Sequence, residues 1–324
     1  MNFETHIGTD ITKAAAYLNS NEIVAIPTET VYGLAANALN ELAVSKVFAA
    51  KKRPLYNPLI VHIKDVSEVE KYATDVPELA YQLFETFSPG PLTIILPKKD
   101  IVPDITTAGK NDVALRIPNH PFSLSLLQML DFPLAAPSAN PFGYISPTCA
   151  DHVYKQLKGK IPYILDGGPC KSGLESTVIA FRENKAYLHR LGALGIGELK
   201  KIIPDISFET KDDKAPVSPG MLKQHYSPNT ILLQCDHIDQ LLFEQRDKKI
   251  GIISFKNSYP IDADKLVVLS PSGDLNEAAS KLYAALHYMD ALDIDLILVE
   301  FMPEEGIGSA MNDRLERAAS KFIK

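Results

Sequence analysis

Cysteine is scarce in this sequence. The 324 residues hold three, Cys149, Cys170 and Cys235, set far apart and forming no CxxC pair. That excludes a disulfide framework and a thiolate metal site, and it fits a reducing, cytoplasmic setting. No apolar run approaches the ~18 residues that a membrane span needs. The polar opening MNFETHIGTD does not read as a secretory signal. Positive charge is also short. The formal balance is −7, so bulk electrostatics repel nucleic acid and anionic lipid, and any anion must be held by a local cluster of cations. Several catalytic signatures are missing: there is no P-loop, no HExxH and no GxSxG, and GALGIG at 192–197 has the wrong spacing for a dinucleotide fingerprint.

What is present is an ordinary globular composition, 46% hydrophobic and 23% charged, at a length that predicts two domains. The most informative stretch runs from Ile26 to His62. EIVAI reads as a buried strand that stops at Pro27, where the missing N–H ends ladder pairing. PTETVYG follows as a polar loop. Leu42, Ala43, Val47 and Ala50 then recur at helical spacing, and the basic KKR sits at the helix C-terminus, where cations are favoured. PLIVHI is the next strand. Polar residues gathered at both loops of a strand–helix–strand unit suit a ligand site at a sheet edge, and a solvated loop beside a basic helix end accounts for them equally well.

Further on, helices are expected over 10–19, 77–87 and 120–130, and strands over 92–97 and 113–118. The polar stretch 98–112 has the look of a lid. Arg116 interrupts an apolar strand and needs a partner, either a structural carboxylate or a bound anion. SAN at 138–140 follows a short strand, and Ser146 and Thr148 can cap the helix that starts near Ala150. Segments 174–181 and 186–192 read as an antiparallel pair, with Arg190 among apolar neighbours. From 202 to 229 periodicity is lost and proline collects, so a linker is expected there. Beyond it, continuous apolar strands alternate with helices, as in a small parallel-sheet domain. No Ser/His/Asp or Cys/His nucleophile set emerges. The residues left for chemistry are cations and short polar groups on loops, a set suited to a polyphosphate.

Several segments taken together resemble the Sua5/YrdC/YciO family. They are PTETVYGL at 27–34, the KxRPxxNPLxVH pattern at 51–62, VALRIPNHP at 113–121, APSANPFGYISPT at 136–148 and ESTVI at 175–179. The linker motif SPGMLKQHYSP and the small domain behind it resemble the two-domain Sua5 branch. The resemblance implies an α/β protein: a twisted mixed-sheet YrdC-like catalytic domain over 1–204, a linker over 205–229 that can close the active site, and a Rossmann-like parallel α/β domain over 230–324.

It also implies a nucleotidyltransferase that joins L-threonine, bicarbonate or CO₂ and ATP into threonylcarbamoyl-AMP and pyrophosphate. The product serves threonylcarbamoylation of tRNA adenosine 37 through downstream transfer proteins. Mg²⁺ would be carried with the nucleotide, and tRNA itself would be at most a weak ligand. By carry-over, Lys51 and Arg53 are catalytic. Thr30, His62, Arg116, Ser138 and Ser176 hold threonine. Lys51, Arg53, Asn57, Asn140, Ser146, Thr148, Arg190 and Tyr226 contact ATP. No protein metal site is expected. Asp112 departs from the family, which often has Thr there. The competing expectation is a YrdC-like module that binds double-stranded RNA or tRNA without turnover. A carbamoyl-adenylate role of the hydrogenase-maturation type would need an acylphosphatase segment and CxxC motifs, and neither is present.

Overall fold

Short aliphatic and β-branched runs form the strands, and they assemble into two sheets. The computed structural model describes residues 3–183, 185–208, 225–260, 262 and 265–320. The larger sheet contains β1 (His6–Gly8), β2 (Val24–Ile26), β3 (Gly33–Asn37), β4 (Ile60–His62), β5 (Leu92–Pro97), β6 (Asp112–Arg116), β7 (Leu134–Ala135), β8 (Tyr163–Leu165), β9 (Thr177–Arg182), β10 (Lys185–Arg190) and β11 (Ser207–Phe208). Its order is β1-β8-β2-β3-β7-β4-β6-β5-β9-β10-β11, with parallel and antiparallel pairs mixed. The smaller sheet holds β12 (Ile231–Cys235), β13 (Ile250–Ser254), β14 (Leu266–Val268) and β15 (Leu296–Glu300) in the order β12-β15-β13-β14, all parallel. Both sheet types agree with the sequence reading.

The Ile26–His62 unit folds as expected at its ends. β2 stops before Pro27, and Asn40 caps the Glu41–Lys51 helix by accepting from the Ala43 N–H. Between them lies a strand that the sequence pattern does not predict. Gly33–Asn37 is rich in Gly and Ala, which carry little strand preference. It becomes a strand because it pairs with β2 on one side and β7 on the other. The expected lid at 98–112 is corrected by the structure. Its Asp104–Thr107 helix is clamped, with the buried Thr106 hydroxyl donating to Ala38 O at 2.8 Å and Thr106 O accepting from Leu59 N at 2.9 Å. A segment pinned from both sides is part of the wall.

Residues 209–224 of the expected linker lie outside the described residues. The chain after them, His225 to Ser227, is buried between the two sheets' domains. Tyr226 and residues of the Leu275–Asp290 and Gly308–Ala319 helices share one apolar cluster with Val31, Ile145 and Leu174 of the larger domain. At its centre is a buried ion pair: Arg314 Nε donates to Glu175 Oε2 at 3.2 Å. Tyr283 OH donates to the same carboxylate at 3.0 Å, and Arg314 Nη2 donates to Leu191 O at 2.7 Å. Breaking such a pair leaves a buried charge without compensation, which costs about 3–5 kcal/mol. Arg314→Met is therefore expected to lower unfolding stability by about that amount in urea titration, and adding Glu175→Gln should recover part of the loss. A single Arg314→Met variant as stable as the parent would contradict the role given to this pair.

Candidate active site

The site is built at the sheet edge where β4 and β6 end and β5 and β9 begin. His62 lies opposite Arg116 in the β4–β6 register, and Arg116 lies opposite Thr93 of β5. Adjacent strand ends therefore deliver an imidazole, a guanidinium and a hydroxyl to one edge. The loop before β3 adds Thr30. The Thr28 hydroxyl organises this loop by donating to Val31 O at 2.7 Å and accepting from the Thr30 and Val31 N–H groups. The SAN loop is held against β3 by Leu34 N to Pro137 O and Ala139 N to Tyr32 O, each at 2.7 Å.

These elements enclose a cavity of about 50 Å³ lined by Thr30, Arg53, His62, Arg116, Ser138, Ser176, Arg190 and Tyr226, together with Val31, Ile60, Glu175 and His225. Eight of the sequence-derived candidates thus converge from segments up to 196 residues apart. The others stand behind this lining. Lys51 does not reach the cavity: its buried Nζ donates to Ser138 O and Asn140 O, each at 2.5 Å. It thereby fixes the SAN loop. Asn140 is buried against Lys51, and Asn57 is buried against Arg53. The Ser146 hydroxyl donates to Glu175 at 2.7 Å. Thr148 is turned toward His152, whose Nδ1 accepts from its N–H at 3.3 Å. Asp112 pairs with Arg182 at 3.1 Å, at the opposite end of β6 from Arg116.

The electrostatics favour anions. Arg53 gives its Nε to Asn57 O at 3.1 Å and its Nη2 to Pro58 O at 2.9 Å. Burial, offset in part by Tyr226 and reinforced by Arg190, pulls it down to about 9. Burial, with Arg53 nearby, holds Lys51 well below its usual value. Arg190 Nη2 donates to Ser176 O at 2.8 Å and Nε to the same oxygen at 3.2 Å. His62 is pushed down to about 3 by burial and by Arg116, so it is neutral at physiological pH. Burial raises Glu175, but Arg314 and Arg190 outweigh that and keep it below its ordinary range, hence ionised.

Buried polar atoms without partners gather here as well. They are both amide atoms of Asn57, His62 Nδ1, Arg116 Nε, Asn140 Oδ1, His225 Nδ1 and Ser227 Oγ. Buried polar atoms are normally paired in folded proteins, so these are positions where an added group could form a bond.

Four residues of this site escaped the sequence reading. Glu29 accepts from Arg116 Nη2 at 2.8 Å and from Asn119 N at 3.0 Å. Glu175 joins Ser146 to the smaller domain. Tyr283 and Arg314 reach Glu175 from helices whose pattern shows only amphipathicity. Glu29 and Glu175 stand inside PTETVYGL and ESTVI, so the motifs flagged them without showing their partners. Tyr226 has φ 65°, is 1% exposed, and stacks on Tyr283 at 5.7 Å with the Arg314 guanidinium 5.6 Å from its ring centre.

Comparison with known proteins identifies the family. Residues 16–192 match the Sua5/YciO/YrdC family model, described as telomere recombination, and residues 194–320 match the threonylcarbamoyl-AMP synthase C-terminal domain. The threonylcarbamoyl-AMP synthase of Pyrococcus abyssi is 41% identical, with 96% of this chain and 94% of that protein covered. The Bacillus subtilis protein of the same name is 40% identical, with 95% and 92% covered. The crystal structure of P. abyssi Sua5 complexed with L-threonine superposes with a TM-score of 0.90 at 38% identity, covering 98% of each chain. The chain belongs to the Sua5/YciO/YrdC family, in its two-domain branch of threonylcarbamoyl-AMP synthases.

Proposed function

We propose that this chain condenses L-threonine, bicarbonate or CO₂ and ATP into threonylcarbamoyl-AMP and pyrophosphate, for the threonylcarbamoyl modification of tRNA adenosine 37. The observation that carries this reading is the gathering of buried cations and unpartnered polar atoms in and behind one small cavity. The threonine nitrogen attacks the carbon of CO₂, or of dehydrating bicarbonate, and gives up a proton to form a carbamate. A carbamate oxygen then attacks the α-phosphorus of ATP, the bond to the bridging oxygen breaks, and pyrophosphate leaves. Both partners are anionic, so the barrier lies in bringing them together. Positioning and charge neutralisation lower it without a protein nucleophile.

The residues divide accordingly. Arg116 receives the threonine carboxylate, with the neutral His62, Thr30, Ser138 and Ser176 around the rest of the amino acid. Arg53 and Arg190 take the phosphates. Asn57, Asn140, Ser146 and Thr148 serve the nucleotide side, and Lys51 shapes that side from beneath while adding positive potential. Mg²⁺ arrives with the triphosphate. The chain divides into a catalytic domain over 1–204, a linker over 205–229 and a smaller domain over 230–324. It works in a reducing cytoplasm and hands its product to tRNA threonylcarbamoyl-transfer proteins.

The cavity of about 50 Å³ is large enough for a few waters and far too small for ATP. Tyr226 and His225 therefore act as a lid that must move aside when nucleotide enters.

Pyrophosphate release should require threonine and bicarbonate; release that is unchanged without threonine would refute the activity. Arg53→Ala should reduce turnover on the order of 100-fold or more. Arg116→Ala should act chiefly through a raised KM for threonine. Equal losses for both substrates in both variants would refute the division of roles. For the lid, Tyr226→Ala should change the KM for ATP while leaving that for threonine nearly constant. Unaltered ATP kinetics in this variant, and in a deletion of 216–228, would remove the lid from the account.

A further inference from the structure

Glu29 is buried, with 6% of its surface exposed, yet it does not line the cavity. It is fixed from three directions. Its carboxylate accepts from Arg116 Nη2 at 2.8 Å and from the Asn119 N–H at 3.0 Å, and its backbone carbonyl accepts from Ser172 N at 2.7 Å. Arg116 Nη2 also donates to Thr30 Oγ1 at 2.9 Å. Two acceptors on this one nitrogen, one of them a carboxylate, restrict the rotation of the guanidinium. The Nε of Arg116 remains buried and unpartnered, so donors of this guanidinium are left over on the side away from Glu29.

Charge is distributed unevenly between the two halves of the site. On the amino-acid side, Arg116 is matched by Glu29, and His62 beside it is uncharged. On the other side stand Lys51, Arg53 and Arg190, with the nearest buried carboxylate, Glu175, shared with Arg314. Arg53 makes its bonds to backbone carbonyls. A polyphosphate entering this site therefore meets net positive charge on one side and a compensated ion pair on the other.

Resting on the function proposed above, we infer that Glu29 is the positioning residue of the amino-acid subsite. It holds Arg116 with its unpartnered edge toward a carboxylate, and by balancing the guanidinium charge it keeps polyphosphate anions out of the threonine pocket. Glu29 touches neither substrate and acts through Arg116. A purely structural role would lower stability without altering which anion the pocket accepts.

The test uses the full chain, with Glu29→Gln and Glu29→Asp measured beside the parent. Glu29→Gln keeps the shape but removes the charge. Its KM for threonine should rise roughly 10- to 100-fold, with the KM for ATP changed less than about twofold. Inorganic pyrophosphate, added as the probe, should become competitive with threonine in this variant while remaining competitive only with ATP in the parent. Glu29→Asp keeps the charge but retracts the carboxylate by one methylene. It should keep pyrophosphate out of the threonine pocket while still showing a raised threonine KM. If Glu29→Gln does not fold, the Asp variant alone decides: a parental threonine KM, or pyrophosphate competition with threonine, overturns the inference. It is equally overturned if Glu29→Gln raises both KM values together, or neither. A parent without threonine-dependent turnover would instead refute the function itself, a failure visible before either variant is made.

Discussion

Three buried guanidinium groups, Arg53, Arg116 and Arg190, line one cavity, and two further buried cations, Lys51 and Arg314, stand behind its lining. The buried carboxylates that face them are Glu29 and Glu175. Removing charge from water is costly, and a pair recovers the cost only with good geometry and further hydrogen bonds. The protein meets this constraint unequally. Arg314 is held by Glu175, Asp313 and the Leu191 carbonyl. Arg53 and Lys51 have mainly backbone carbonyls for company, and both are pushed below their ordinary values by burial. A polyanion would reverse that shift. The shortage of buried negative charge is thus the physical basis of the nucleotide site proposed above.

The same constraint ties the two domains together. Glu175 belongs to the larger sheet's domain, and its carboxylate accepts from the Ser146 hydroxyl there. Its other partners, Tyr283 and Arg314, come from the smaller one. The smaller domain also packs Tyr283 against Tyr226. Interface and active site therefore share a carboxylate and an aromatic stack. The contacts that hold the domains together are thus also contacts of Ser146 and Tyr226.

Much of the site was legible in the sequence because its cations stand in short, unusual contexts. Arg116 in an apolar strand demanded a partner, and the KxRP segment placed charge at a helix end. The partners were less visible. Glu29 in a polar loop looks solvated until the fold brings it to Arg116, 87 positions away. Arg190 lies 14 positions from Ser176 across a hairpin, so the antiparallel reading already placed them together. Arg314 and Tyr283 lie on helices whose amphipathic pattern reports burial but not what is buried against them. Lys51 was legible as a site residue, but its direction was not, since only the folded SAN loop shows two carbonyls waiting for it. β3 was missed because pairing on both edges overrides weak local preference, and the supposed lid at 98–112 was misread because polarity alone does not reveal that Thr106 is buried.

The account turns on where the polyanion goes. A crystal structure of the chain with L-threonine and a non-hydrolysable ATP analogue tests this most directly. The expected result has the threonine carboxylate on Arg116, the phosphates against Arg53 and Arg190, and Tyr226 displaced from its present position. An analogue bound in the open groove between the domains, beside Tyr144, His152 and His287, with Tyr226 still buried against Tyr283 and the cations around the cavity untouched, would contradict it.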